Sequence, residues 1–172
     1  MGTINKCLNE WNAIVEALGN GLQTVLIRKY STSLKEFLLY PTRSYTMKED
    51  FLKAFKKEYR DFAAKNSHPQ MKDDQVFVKY YAKVIDILER PKNRLGKINK
   101  YHVWAPEHVR SYIPQKAYIW ILRVYELEKP VYTERSKGIV YATTKKSVDI
   151  SGIKPVIDNG KFNEILEQMR TR

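Results

Sequence analysis

Apolar residues recur every three or four positions through Ile4, Leu8, Trp11, Val15 and Leu18, which places them on one helical face. Asn5 suits the N-cap and Gly19-Asn20-Gly21 the stop, so a first helix is expected with Trp11 in its buried stripe. Leu22 to Arg28 and Glu36 to Tyr40 are short, apolar and separated by Ser31-Thr32-Ser33. They read as the two strands of a hairpin, the second ended by Pro41. Thr46 and Glu49 have capping-box spacing. A helix is therefore expected over 47–65, with Phe51, Phe55, Tyr59 and Phe62 on one face and Lys53, Lys56, Lys57 and Arg60 on the other.

Gln75 to Leu88 alternates or runs apolar and predicts a long strand. Arg90 to Tyr101 is a basic connection, and Pro106 starts a short helix reaching Tyr112. Ala117 to Leu127 is the strongest strand, with short strands near 139–142 and 147–150. Asp158 or Asn159 caps a last helix whose Phe162, Ile165, Leu166 and Met169 face inward. Helices and strands do not alternate regularly, which argues against a doubly wound parallel sheet. The expected class is α+β: a mixed, barrel-like sheet with helices packed outside, in a single domain over residues 1–172.

Charge changes the picture. Lys and Arg number 31 against 19 Asp and Glu, a net charge of +12, which favours polyanionic partners such as nucleic acid. The only cysteine, Cys7, rules out an intrachain disulfide and any multi-cysteine zinc site. The longest apolar run, Ala117 to Leu122, is far short of the ~20 residues of a membrane helix. The first residues lack the apolar core of a signal peptide, so the expected setting is cytoplasmic, with no membrane partner. Phosphate-loop, dinucleotide-binding, zinc-protease and nucleophile-elbow motifs are absent, and neither cofactor nor metal is expected.

Several segments, in order, resemble the prokaryotic family known as domain of unknown function 1802. They are Glu10-Trp11, Glu16-Ala17-Leu18, the run Gln23 to Lys29, Phe37 to Thr42, Tyr81-Ala82, His102-Val103-Trp104, Ala117 to Leu127, and Pro155 to Asp158 with Phe162. Similar members often carry glycines where this chain has Tyr30-Ser31, and a His-Gln pair where it has Arg43-Ser44-Tyr45. The resemblance brings no established reaction. Gly21-x-Gln23, followed by Arg28, is also similar to the opening of ASCH domains, small β-barrels related to the PUA RNA-binding domain. That likeness implies a turn glycine close to a ligand and Arg28 facing a cleft. Gln23 stands where those domains have Lys, which weakens any catalytic role carried over.

Candidate binding residues follow from charge and aromaticity. Arg28 and Lys29 close an apolar strand, where a guanidinium can fork a phosphate; a solubilising surface pair is the plainer alternative. Arg43 follows the second strand and joins them. Arg123 interrupts a strongly apolar strand, where a charge needs either a partner or a cleft. Lys92, Arg94 and Lys97 belong to a basic run without an acid between Glu89 and Glu107, fit for phosphate contacts or merely solvated. His102 and Trp104 would point the same way on an extended segment, giving a base-stacking face or, alternatively, an anchor for the loop. The expected function is binding of RNA or single-stranded DNA through a basic, aromatic cleft. A nuclease or nucleotide hydrolase built on Glu36, Asp74, Glu126 and Glu128, and a structural or partner-binding protein, stand as alternatives.

Overall fold

In the computed structural model, which describes residues 2–171, eight strands form one mixed sheet accompanied by four α-helices. Of the 1–172 span expected for the domain, Met1 and Arg172 lie outside the described residues. The order is β1 (Thr3–Trp11), α1 (Asn12–Gly19), β2 (Val25–Arg28), β3 (Glu36–Thr42), α2 (Arg60–Lys65), β4 (Met71–Lys72) and β5 (Gln75–Pro91). There follow α3 (Pro106–Tyr112), β6 (Lys116–Thr133), β7 (Tyr141–Asp149), β8 (Lys154–Pro155) and α4 (Asn159–Arg170). The sheet runs β2-β6-β5-β3-β1-β7, with β4 beside β5 and β8 beside β6. β1 and β3 are parallel, Cys7 lying opposite Leu38 and Trp11 opposite Thr42; the other pairs are antiparallel.

The α+β mixed sheet is as expected, but it stays open, with β2 and β7 as its outer strands. Curvature comes from the long β5–β6 ribbon, whose register shifts at Val78/Tyr80 and Val84/Asp86; such irregularities bend and twist strands. The chain leaving β6 turns back on β7, where Arg135 bridges Thr144.

Three expected elements are different. Residues 3–11 form β1 rather than the start of a helix, because both neighbours in the sheet supply pairing. Cys7 and Leu8 are both fully buried, one on each face of the sheet, so the burial that looked helical belongs to a strand covered on both sides. β2 and β3 do not make a hairpin: β2 pairs with β6, while β3 lies between β5 and β1. The helix expected over 47–65 is reduced to 3₁₀ turns and α2. Its backbone is diverted at residues 54–56. There Phe55 bridges Trp104, the Lys56 N–H donates to Val103 O (3.0 Å), and the Ala105 N–H donates to Ala54 O (2.8 Å). The strands expected near 139–142 and 147–150 merge into β7. α3, β5, β6 and α4 lie where the pattern placed them, and Asp158 caps α4 through Lys161 N–H (2.8 Å).

Two apolar clusters occupy the two faces of the sheet. The larger holds Leu8, Phe37, Leu39, Trp120 and α1; the smaller holds Cys7, Leu38 and Tyr81. Burial raises the Cys7 thiol to about 11, an inert state for it. At the end of α1, Gly19 meets the ring of Tyr80, whose hydroxyl donates to Glu16 (3.0 Å). A Cβ at Gly19 would overlap that ring. Helix propensity alone would make Gly19→Ala stabilising. We expect the reverse, a loss of about 1–3 kcal/mol from overpacking. Urea denaturation checks it, and a gain in stability would mean that Tyr80 does not pack on α1.

Candidate functional site

β1, β2 and β3 end around one cleft of about 920 Å³. The parallel pairing of β1 and β3 sets Trp11 and Thr42 side by side at its edge. β2 arrives on the far side of the sheet and delivers Arg28. Three further segments close the cleft: α3, with His108 and Tyr112 one turn apart, the loop from Arg135 to Val140, and residues 69–76, with Met71 and Asp74.

Glu10 is the most buried charged residue of the lining: it is 6 % exposed and forms an ion pair with Arg28, which is 15 % exposed. Glu10 Oε2 accepts from Arg28 Nη2, and Oε1 accepts from the Trp11 N–H (2.9 Å). Burial opposes the charge on Arg28, but the Glu10 carboxylate outweighs it and holds the guanidinium pKa above its ordinary value. Trp120 lies 5.8 Å from the guanidinium. The Tyr112 hydroxyl donates to Ile27 O (2.8 Å), which ties α3 to β2.

An aromatic wall rises from this floor. Trp11 stacks on Tyr45 (4.6 Å, 11°), His108 stands 5.5 Å from Trp11, and Tyr112 stands 5.4 Å from His108. Burial, with the Lys48 ammonium, lowers the His108 pKa and favours the neutral ring. Opposite, Arg135 lies over the Tyr40 ring (5.3 Å). Its loop is pinned by Asn9, whose Nδ2 donates to Gly138 O (2.9 Å) and whose backbone N–H donates to Val140 O (2.8 Å). The mouth is open and mixed: Lys29 and Arg43 are exposed, and Met47 and Ile139 are 88 % and 96 % exposed.

Of the binding residues singled out from sequence, Arg28, Lys29, Arg43 and Trp104 line the cleft; of the four candidate nuclease carboxylates only Asp74 does, and Glu36, Glu126 and Glu128 do not. Trp104 is 3 % exposed, so it supports the wall and offers little stacking face. His102 is buried: its Nδ1 accepts from the Trp104 N–H (3.1 Å), and Lys56 donates to its carbonyl (2.7 Å). Arg123 is an internal brace. It donates to Ile157 O and Asn159 Oδ1 (both 2.8 Å) and stacks over Phe162 (4.7 Å). Lys92, Arg94 and Lys97 sit on 3₁₀ turns between β5 and α3 and do not line the cleft. Trp11 is half-buried: it packs against the larger apolar cluster, as expected of it, and also forms part of the cleft wall. Gln23, the Lys position of the ASCH-like motif, is buried and braces the backbone, accepting from Val103 N–H (3.1 Å) and donating to Val25 O (2.8 Å). The i, i+4 spacing of His108 and Tyr112 after Pro106 was a signal for one helical face. Nothing local marked Arg135.

Among the described residues, no three of His, Cys, Asp and Glu gather where they could hold a metal ion, and no helix is long and apolar enough to cross a membrane.

Residues 7–168 match the family model described as Domain of unknown function (DUF1802). Among solved structures the chain is similar to ASCH from Zymomonas mobilis, at 12 % identity over 94 % of this chain and 93 % of that one, with a TM-score of 0.46. A serine-to-alanine mutant of the same protein aligns at 16 % identity over 73 % and 72 %, with a TM-score of 0.47. No curated protein matches the chain.

The burial of His102 has a consequence for pH. Desolvation, reinforced by Lys56, pushes its pKa from 6.5 to about 3. The unfolded chain takes up a proton between those values that the folded chain refuses. Stability is therefore complete above pH 6.5 and should fall by about 1.4 kcal/mol per unit as pH drops towards 3. His102→Asn keeps an acceptor for the Trp104 N–H without the titration and should flatten that slope. Urea midpoints for both proteins from pH 7 to pH 4 test this; identical slopes would mean that His102 charges inside the fold.

Proposed function

We propose that this chain, which belongs to the domain of unknown function 1802 family, binds single-stranded nucleic acid, RNA or DNA, in the cleft at the ends of β1, β2 and β3. The observation that carries this reading is the joining of exposed cations, Lys29 and Arg43, to the wall made by Trp11, His108 and Tyr112. Single strands are bound by that combination, because cations follow the phosphates while aromatic faces take the unstacked bases. The net charge of +12 adds long-range attraction for a polyanion. Arg28 is not a free phosphate fork in this reading, since Glu10 already holds it.

Lys29→Ala with Arg43→Ala should weaken binding of short labelled oligonucleotides. The slope of log affinity against log salt should flatten by about 1.4, because each phosphate left without its cation takes about 0.7 off it. Neutralising Lys92, Arg94 and Lys97 together removes one more charge, yet should weaken binding less. Fluorescence anisotropy at several salt concentrations decides. A larger loss in the triple variant would move the interface to the turns between β5 and α3, and no binding at low salt would end the proposal.

A further inference from the structure

We infer that the Glu10–Arg28 pair at the cleft floor reads the edge of one nucleobase and selects bases carrying an exocyclic amine (cytosine, adenine or guanine) over uracil. This rests on the cleft being the nucleic-acid site.

The cleft separates its charges by depth. Lys29 and Arg43 stand exposed at the mouth, while Arg28 is neutralised below them by Glu10. A phosphate at the floor would meet the Glu10 carboxylate, so phosphate is favoured at the mouth and disfavoured beneath it. The floor suits a flat, neutral group instead. It lies beside Trp11 and Tyr112, and its two charged side chains have opposite hydrogen-bonding senses; each Glu10 oxygen already accepts one bond, from Arg28 Nη2 or the Trp11 N–H, and keeps a second lone pair. Glu10 only accepts and Arg28 only donates.

That juxtaposition fits a donor adjoining an acceptor. Cytosine offers its amine beside N3, adenine its amine beside N1, and guanine N1–H with its amine beside O6. In each case the N–H groups meet Glu10 and the acceptor meets Arg28. Uracil has one N–H between two carbonyls. Seating that N–H on Glu10 puts one carbonyl on Arg28 and forces the other against the carboxylate. A site with a fixed acceptor cannot satisfy a second acceptor, and the mismatch goes unpaired.

The test compares labelled oligocytidylate and oligouridylate of equal length by anisotropy. Wild type should bind the cytidine oligomer roughly tenfold more tightly. Glu10→Gln places an amide, with donor and acceptor, at the same position; it should accommodate the second carbonyl and bring the two affinities within about twofold of each other. Competition by cytidine and uridine monophosphates against a bound oligomer gives the wild-type ratio without any variant, so the result stands even where Glu10→Gln folds poorly. Equal affinities in wild type, still dependent on Lys29 and Arg43, would overturn the base readout and leave the cleft as the binding site. A Glu10→Gln protein that binds both oligomers more tightly, with their ratio unchanged, would show that freed Arg28 serves phosphate and would overturn it too. Failure of both oligomers to bind at low salt would remove the cleft reading and this one together.

Discussion

The pair between Glu10 and Arg28 is possible only because the sheet curls. β1 and β2 are separated in the sheet by β3, β5 and β6, yet Glu10, next to the end of β1, and Arg28, the last residue of β2, meet in one ion pair. A flat sheet would hold those strands about four spacings of 4.8 Å apart, beyond the reach of any side-chain pair. The register shifts in β5 and β6 supply the bend, and the cleft is the hollow that the bend leaves between the strand ends. Removing one member of so buried a pair leaves the other charge uncompensated, which costs about 3–5 kcal/mol. The same contact that gives the site its polarity therefore also holds its shape.

Long-range pairing decided where local pattern was misleading. Ile4, Leu8 and Trp11 have helical spacing, but β3 and β7 flank that segment and make it a strand with both faces covered. Phe51, Phe55 and Tyr59 have it too, but the bridge from Phe55 to Trp104 stops a helix from passing through residues 54–56. In both places the competing partner lies tens of residues away, and no window along the chain contains it. β5, β6, α3 and α4 were legible because each is long, or capped, or opened by a proline at the position where its own residues settle the outcome.

The candidate site was legible in its charges and obscure in its geometry. Arg28, Lys29 and Arg43 stand out as cations closing apolar strands, and such residues often face a solvent-filled hollow. Arg123 carries the same signature and turned out to brace α4, since a strand end and a strand middle look alike until the neighbours are known. His102 and Trp104 lie on one extended segment as expected, but the Phe55 backbone covers that segment and takes them out of solvent. The aromatic wall joins β1 to α3, nearly a hundred residues apart, and only the fold could assemble it.

Most of the positive charge lies outside the cleft. The cleft is lined by four cations, Arg28, Lys29, Arg43 and Arg135, against two carboxylates, Glu10 and Asp74. Its local excess is a small part of the net +12. The two scales of charge do different work. The surplus over the whole surface raises the encounter rate with any polyanion and is screened within about 8–10 Å by physiological salt. The few charges inside the cleft act at contact distance, where the sign of each position matters more than the total. Net charge alone gives Glu10 no part in attracting a polyanion; its place is set by the pair it makes with Arg28. A buried carboxylate among the cations that line the cleft agrees with the proposed reading, in which a neutral, hydrogen-bonding group sits beside Glu10 and the phosphates of a bound strand stay by the exposed Lys29 and Arg43.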